Sequence, residues 1–197
     1  MNVSLFYLIG YMKSYAGGFS INESIYQRIS FVGDDFTIDT HLQKTFKKLI
    51  KICEKALDEA NLNHDITIEY WDNEKGGIIY SKNIVTLICD FFKSKDCLEG
   101  DRYLILDEYI FEDFEWREED SLSHQQRLMF LSGAFDSHGK GKTFYFYNDY
   151  SMCLLVHNVL RCFSDEDDTI EMKSYFKTPQ TDTITLNEDA GLWDNLK

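Results

Sequence analysis

Proline is almost absent from this 197-residue chain, Pro179 being the one example, so proline-rich linkers and collagen-like or mucin-like segments are excluded. Basic residues are scarce too: 20 Lys and Arg face 34 Asp and Glu, a formal charge of −14. A plain basic groove for nucleic acid is not the default reading of that balance, because neutralising phosphate is the sequence-independent core of such binding. The five cysteines, Cys53, Cys89, Cys97, Cys153 and Cys162, form no C-x-x-C pair. Their odd number does not suit a disulfide framework, and a reduced, cytoplasmic protein is expected. The histidines, His41, His64, His124, His138 and His157, show no zinc-type spacing with them, so no metal and no cofactor is expected. No apolar run reaches the ~18 residues of a membrane span. The apolar start has no basic residue before Lys13 and no small-residue cleavage site, a poor signal peptide.

What remains is a chain built to fold. Hydrophobic residues make up 44% and aromatics 15%, far too many for a disordered acidic tail. The length suits one domain or two fused halves of about 100 residues each. The charge is unevenly spread. Residues 1–93 carry 10 basic and 12 acidic side chains, residues 94–124 carry 3 and 11, and residues 125–197 carry 7 and 11. More than half of the imbalance therefore lies in the middle stretch, where carboxylates alternate with large apolar residues. That mixture reads as a connecting helix or extended segment, or as a docking surface for a basic partner.

The two flanking parts repeat one order of elements. In the first, residues 5–13 open a helix, Tyr15 to Ile21 make a glycine turn into a strand, and Tyr26–Val32 alternates as a second strand. Ile38–Ala60 places Leu42, Phe46, Leu49, Ile50, Cys53 and Leu57 at helical spacing. Strands are expected at Ile66–Trp71 and Ile78–Tyr80, then a helix from Lys82 to Phe92. In the second part the series is a helix over Ser123–Phe135, a glycine turn over Ser137–Gly141 and a strand over Lys142–Tyr147. The amphipathic helix Ser151–Phe163 and closing strands Glu171–Phe176 and Thr183–Leu186 complete it. The expected division is a first repeat over 1–93, an acidic connection over 94–124 and a second repeat over 125–197.

Phe130-Leu-Ser-Gly-Ala-Phe-Asp-Ser-His-Gly139, preceded by Gln125-Gln-Arg-Leu-Met129, resembles the signature of the LAGLIDADG homing endonucleases. Tyr7-Leu-Ile-Gly-Tyr-Met-Lys-Ser-Tyr-Ala-Gly17, followed by Phe19-Ser-Ile21, is a similar copy with one extra residue before the glycine. The resemblance spans residues 4–92 and 123–190. It implies an α/β (α+β) fold of pseudo-twofold tandem αββαββα repeats. The two motif helices would pack along a shared axis, with Gly10 and Gly133, helped by Ser14, Ser132 and Ser137, permitting close backbone approach. In members that cut DNA, an acid immediately before the last glycine of each motif holds divalent metal, which clamps the attacking and leaving oxygens. Here those positions hold His138 in one motif and Tyr15 and Ala16 in the other. Imidazole is a softer ligand than magnesium prefers. Asp136 lies two residues earlier and is expected to cap local backbone, and Lys13 holds the equivalent place in the first copy. Loss of metal-dependent cleavage is therefore expected.

The family's DNA-facing surface is the concave side of its sheets, which needs basic and amide side chains. The candidates are Asn22, Tyr26, Arg28 and Ser30, then Lys140, Lys142, Tyr145 and Tyr147. Glu23, Glu69, Asp72, Glu74, Asp149 and Glu171 lie near the same strands, so a roughly neutral or acidic saddle with weak nucleic-acid affinity is expected. Other chemistry is poorly supported. Gly139–Thr143 misses the phosphate-loop spacing, no G-x-S-x-G occurs, and Asp165–Asp168 lacks the glycine of a calcium loop.

The leading expectation is a catalytically silent, monomeric LAGLIDADG-like protein that binds a basic protein partner. An acidic inhibitor, immunity or anti-defence protein, or DNA mimic, of a nucleic-acid enzyme is its concrete form. The partner surface would be Asp107, Glu108, Glu112, Asp113, Glu115, Glu118, Glu119 and Asp120, with Tyr109, Phe111 and Trp116 as aromatic anchors. The alternative is a non-cleaving DNA-binding regulator or remnant homing endonuclease.

Overall fold

The computed structural model describes residues 2–11, 19–20, 28–29, 40–70, 77–93, 103–104, 122–147, 150–163, 170–175 and 181–186. The chain divides into two compact units, residues 1–8 with 16–105 and residues 9–15 with 106–197. The helix α1 (Ser4–Tyr11) begins in one and ends in the other.

In the first unit the long helix α2 (Thr40–Glu59) buries Leu49, Cys53, Ala56 and Leu57, as the spacing of its apolar residues demands. It ends in a Schellman turn. Asn61 takes a left-handed φ of 54°, the Asn61 N–H donates to the Asp58 carbonyl at 3.0 Å, and the Leu62 N–H donates to the Leu57 carbonyl at 2.9 Å. The strands are β1 (Phe19–Ser20), β2 (Arg28–Ile29), β3 (Thr67–Tyr70) and β4 (Gly77–Tyr80), and β2, β4 and β3 pair in that order, all antiparallel. The helix α3 (Lys82–Lys93) starts on Ser81, whose Oγ accepts from the Ile84 N–H at 3.1 Å and donates to Asp65 at 2.6 Å. Leu5, Phe6, Tyr7 and Leu8 of α1 join this core, with the Phe6 ring edge-on to Phe91 at 5.1 Å. Within the acidic connection, Tyr103–Leu104 forms β5, which pairs antiparallel with β1. The connection is thus extended rather than helical at that point.

The second unit repeats the plan. The helix α4 (His124–His138) is followed by β6 (Gly139–Lys140), β7 (Thr143–Tyr147), α5 (Tyr150–Arg161), β8 (Ile170–Tyr175) and β9 (Thr181–Leu186). Its sheet runs β6, β7, β9, β8, every pairing antiparallel. The second, fourth and third strands of each unit thus stand in the same order, which is what a duplicated ββαββ element requires. Met152, Cys153, Leu155, Val156, Val159 and Leu160 of α5 are buried, as expected from their spacing, whereas Phe163 lies beyond the helix end.

Two expectations are corrected here. The motif helix runs three residues past Phe135, through Ser137 and His138, because the imidazole of His138 continues its apolar face: the ring is buried and lies 4.8 Å from the Phe146 ring. The turn between β6 and β7 is only Gly141 and Lys142, with Gly141 at a φ of 64°. Lys142 therefore belongs to this turn and not to the strand.

Candidate nucleic-acid interface

Two places on this scaffold bear on function: the crossing and end of the motif helices, and the open face of the second sheet. At the crossing, a Cβ on Gly10 would stand 2.0 Å from the Phe130 carbonyl oxygen and 3.0 Å from the Ala134 nitrogen. Backbone therefore meets backbone there, as the small residues of the motif imply, and any larger side chain at position 10 would collide with main chain. Gly133 is buried on α4 beside Ala134, and Ser132 is half-buried. Ser14 lies outside the described residues.

Beyond the crossing, α4 ends in a tight hand-over to the sheet. The Gly139 N–H donates to the Phe135 carbonyl, and a Cβ on Gly139 would fall 2.2 Å from the Phe135 ring and 2.5 Å from its carbonyl oxygen. Phe135 in turn meets Phe144 edge-on at 5.7 Å. The residue that should carry the metal-binding acid, His138, is thereby turned into the core. Asp136 is exposed on the helix. Its charge is felt by Tyr11, whose hydroxyl is pushed up to about 12, first by burial and then by the Asp136 carboxylate, so the phenol stays neutral. Among the described residues no group of three or more His, Cys, Asp or Glu side chains is placed to hold a metal ion. The described donors at the end of this motif, the buried His138 imidazole and the exposed Asp136 carboxylate, do not fit a hard divalent cation. Tyr15, Ala16 and Lys13 lie outside the described residues.

The start of α1 is built by residues that the local sequence does not mark. Glu59, in the last turn of α2, accepts from the N–H groups of Val3 and Ser4 at 2.7 and 2.8 Å and from the Ser4 hydroxyl at 2.9 Å. Asn2 accepts from the Leu5 N–H at 3.0 Å and donates to the Ala56 carbonyl at 2.7 Å. A carboxylate at a helix N-terminus meets both the unpaired N–H groups and the positive end of the helix dipole. Burial pushes the Glu59 carboxyl up, but the Ser4 and Val3 donors and the Lys55 charge outweigh it and hold the group below the ordinary carboxylate range.

Strand alternation sorts the second sheet into two faces. Phe144, Phe146, Asp182, Ile184 and Leu186 are buried on the core side. The other side shows two rows across the strands: Lys140, Thr143, Thr185 and Glu171, then Tyr145, Thr183 and Lys173. The hydroxyls of Thr143 and Thr185 lie 3.1 Å apart, and Lys173 pairs with Glu171 at 2.6 Å. Lys140, Lys173 and Glu171 are exposed, Tyr145, Thr143 and Thr185 are half-buried, and Thr183 is buried between its neighbours. Of the expected candidates, Lys140 and Tyr145 fall in these rows, and the backbone register extends them to Tyr147, Thr181 and Tyr175. Lys142 is exposed in the turn at their edge. The threonines and Lys173 are absent from the expected set, although the alternation Thr181-Asp-Thr-Ile-Thr-Leu186 marks a strand with a hydroxyl face. In the first unit Arg28 stands in register with Tyr80 and, beyond it, Thr67, in a row alternating with Ile29, Ile79 and Ile68, of which Ile79 is fully buried. Asn22, Tyr26 and Ser30 lie outside the described residues, as does the entire expected partner surface from Asp107 to Asp120.

No protein-family model matches the chain, and no curated protein does. Solved structures do: paired αββαββ units with a glycine at the motif-helix crossing are the fold of the LAGLIDADG homing endonucleases, and this chain has that fold. Similar structures include several of the homing endonuclease I-DmoI. One, of its mesophilic variants, is 11% identical and covers 100% of this chain and 97% of that one at a TM-score of 0.58. Another, of I-DmoI in complex with DNA and Mn, is 13% identical over 99% of this chain and 94% of that one, at 0.56. A third, in complex with DNA and Ca, is 13% identical over 100% and 87%, at 0.52.

Proposed function

We propose that this protein is a homing-endonuclease scaffold that binds duplex DNA without cutting it, a regulator or a remnant of a homing enzyme. The observation that carries this reading is the open face of the second sheet, where Lys140, Lys173, Tyr145, Thr143 and Thr185 stand in register on the side away from the core. Lysines there would meet phosphate, and hydroxyls would donate to phosphate or base edges. The similar structures include complexes of that protein with DNA, which supports this reading. Cleavage is a different matter, since the acid before the last motif glycine is replaced by the buried His138.

A second reading has its own observation. The acidic connection carries 11 acidic and 3 basic residues and is tied by β5 to β1 of the first unit. In that reading the carboxylates and aromatics of residues 107–120 engage a basic protein partner, as an inhibitor or DNA mimic does.

A gel shift against random-sequence duplex DNA at low salt, with plasmid nicking assayed in Mg²⁺ and Mn²⁺, separates the readings. The expected result is a retarded complex that dissolves as salt rises, no nicking, and a slope of log K against log salt lowered by about 1 in Lys140→Ala. No shift at any salt would overturn the DNA-binding reading in favour of the second. Nicking that Asp136→Asn abolishes would overturn the non-cleaving part.

A further inference from the structure

The cations of the open sheet face are not equally available. Lys140 sits at one side, while Lys173 is held by Glu171, two residues earlier on the same strand, at 2.6 Å. Both side chains of the pair are 53% exposed, so a ligand reaches them without any rearrangement of the fold. Side chains two apart on a strand share a face, and the residues opposite are the half-buried Thr185 and the buried Thr183. An ammonium engaged in this way has part of its charge and at least one of its three N–H donors turned to the carboxylate when a phosphate oxygen approaches. The carboxylate beside it then faces the polyanion.

We infer that Glu171 is an attenuating residue, which by pairing with Lys173 restrains the affinity of this face for the phosphate backbone of duplex DNA and sets its salt dependence. The inference rests on the reading of the sheet face as a DNA-binding surface. The energetic scale suits attenuation rather than a lock. A solvent-exposed ion pair is weak and opens readily, yet it governs one phosphate contact, and each such contact adds roughly 0.9 to the salt slope.

The test is the fluorescence anisotropy of a labelled random-sequence DNA duplex, titrated over a range of salt. Wild type is compared with Glu171→Gln, Lys173→Gln, the double variant and Lys140→Gln, circular dichroism confirming that each is folded. Glu171→Gln is expected to bind roughly 3- to 10-fold more tightly at low salt, with a slope steeper by about 1, and the gain should vanish when Lys173→Gln is added. Unchanged affinity in Glu171→Gln while Lys140→Gln weakens binding would overturn the role of Glu171 and leave the sheet face as the DNA surface. A gain that survives Lys173→Gln would overturn the ion pair as its cause. Binding by none of the proteins would remove the DNA reading itself, and the attenuation with it.

Discussion

Glu59 shows how little of a residue's role is written around it. It follows Asp58 near the end of an amphipathic helix, where an acid reads as an ordinary solvated charge. Its partners, Val3 and Ser4, lie 56 and 55 positions earlier, and only the fold brings them to its carboxylate. Because the folded group is held below the ordinary range, its contribution to stability is complete above that range and is lost as pH falls through it. Glu59→Gln turns one acceptor toward donors as an amide N–H₂, so it should cost about 1–2 kcal/mol at neutral pH. It should also flatten the acid limb of the stability curve, which urea denaturation at neutral pH and below pH ~4 would read. Equal stabilities and equal limbs would deny the cap its weight. Cys53 is simpler. Burial, then the Glu54 charge, push its thiol up to about 12, and it serves α2 as an apolar side chain.

At the scale of elements, periodicity makes the amphipathic helices legible, since Leu49, Cys53 and Leu57 of α2 and Met152, Leu155, Val156, Val159 and Leu160 of α5, which the three- and four-residue spacing selects, are buried. The helix ends are less so. The motif helix α4 outlasts its expected end because His138, polar in the sequence, packs as an aromatic plate on Phe146. Its start is a capping box, Ser123 Oγ accepting from the Gln126 N–H at 3.3 Å and Gln126 Oε1 from the Ser123 N–H at 2.8 Å. The helix crossing is legible from Gly10 alone, because only a residue without Cβ tolerates a carbonyl oxygen 2.0 Å from that position. Gly10→Ala should therefore destabilise the protein by about 3 kcal/mol or more, against the gain of a few tenths to 1 kcal/mol that Gly→Ala brings in an ordinary exposed helix. Thermal or urea unfolding decides it, and an unchanged midpoint would mean that the helices do not approach as described.

For the molecule as a whole, two copies of one strand order and the matching solved structures establish the architecture, while the motif residues alone suggest it. What the sequence hides is the partition of polar residues between the two faces of the second sheet. Asp182 and Glu171 are both acids of this sheet, yet one is fully buried beside Phe146 in register and the other is exposed in a pair with Lys173. Face and register are properties of pairing, and a single strand does not reveal its neighbours. The charge of −14 changes meaning accordingly. It is concentrated in the connection, and the described open face of the second sheet carries two lysines against one glutamate. That the sheet face is where DNA binds is tested most directly by lysine acetylation footprinting with and without random-sequence duplex DNA. DNA should protect Lys140 and Lys173 and leave Lys51 and Lys55, exposed on α2, as reactive as before. Unchanged modification of Lys140 and Lys173 under conditions where DNA is bound would contradict it.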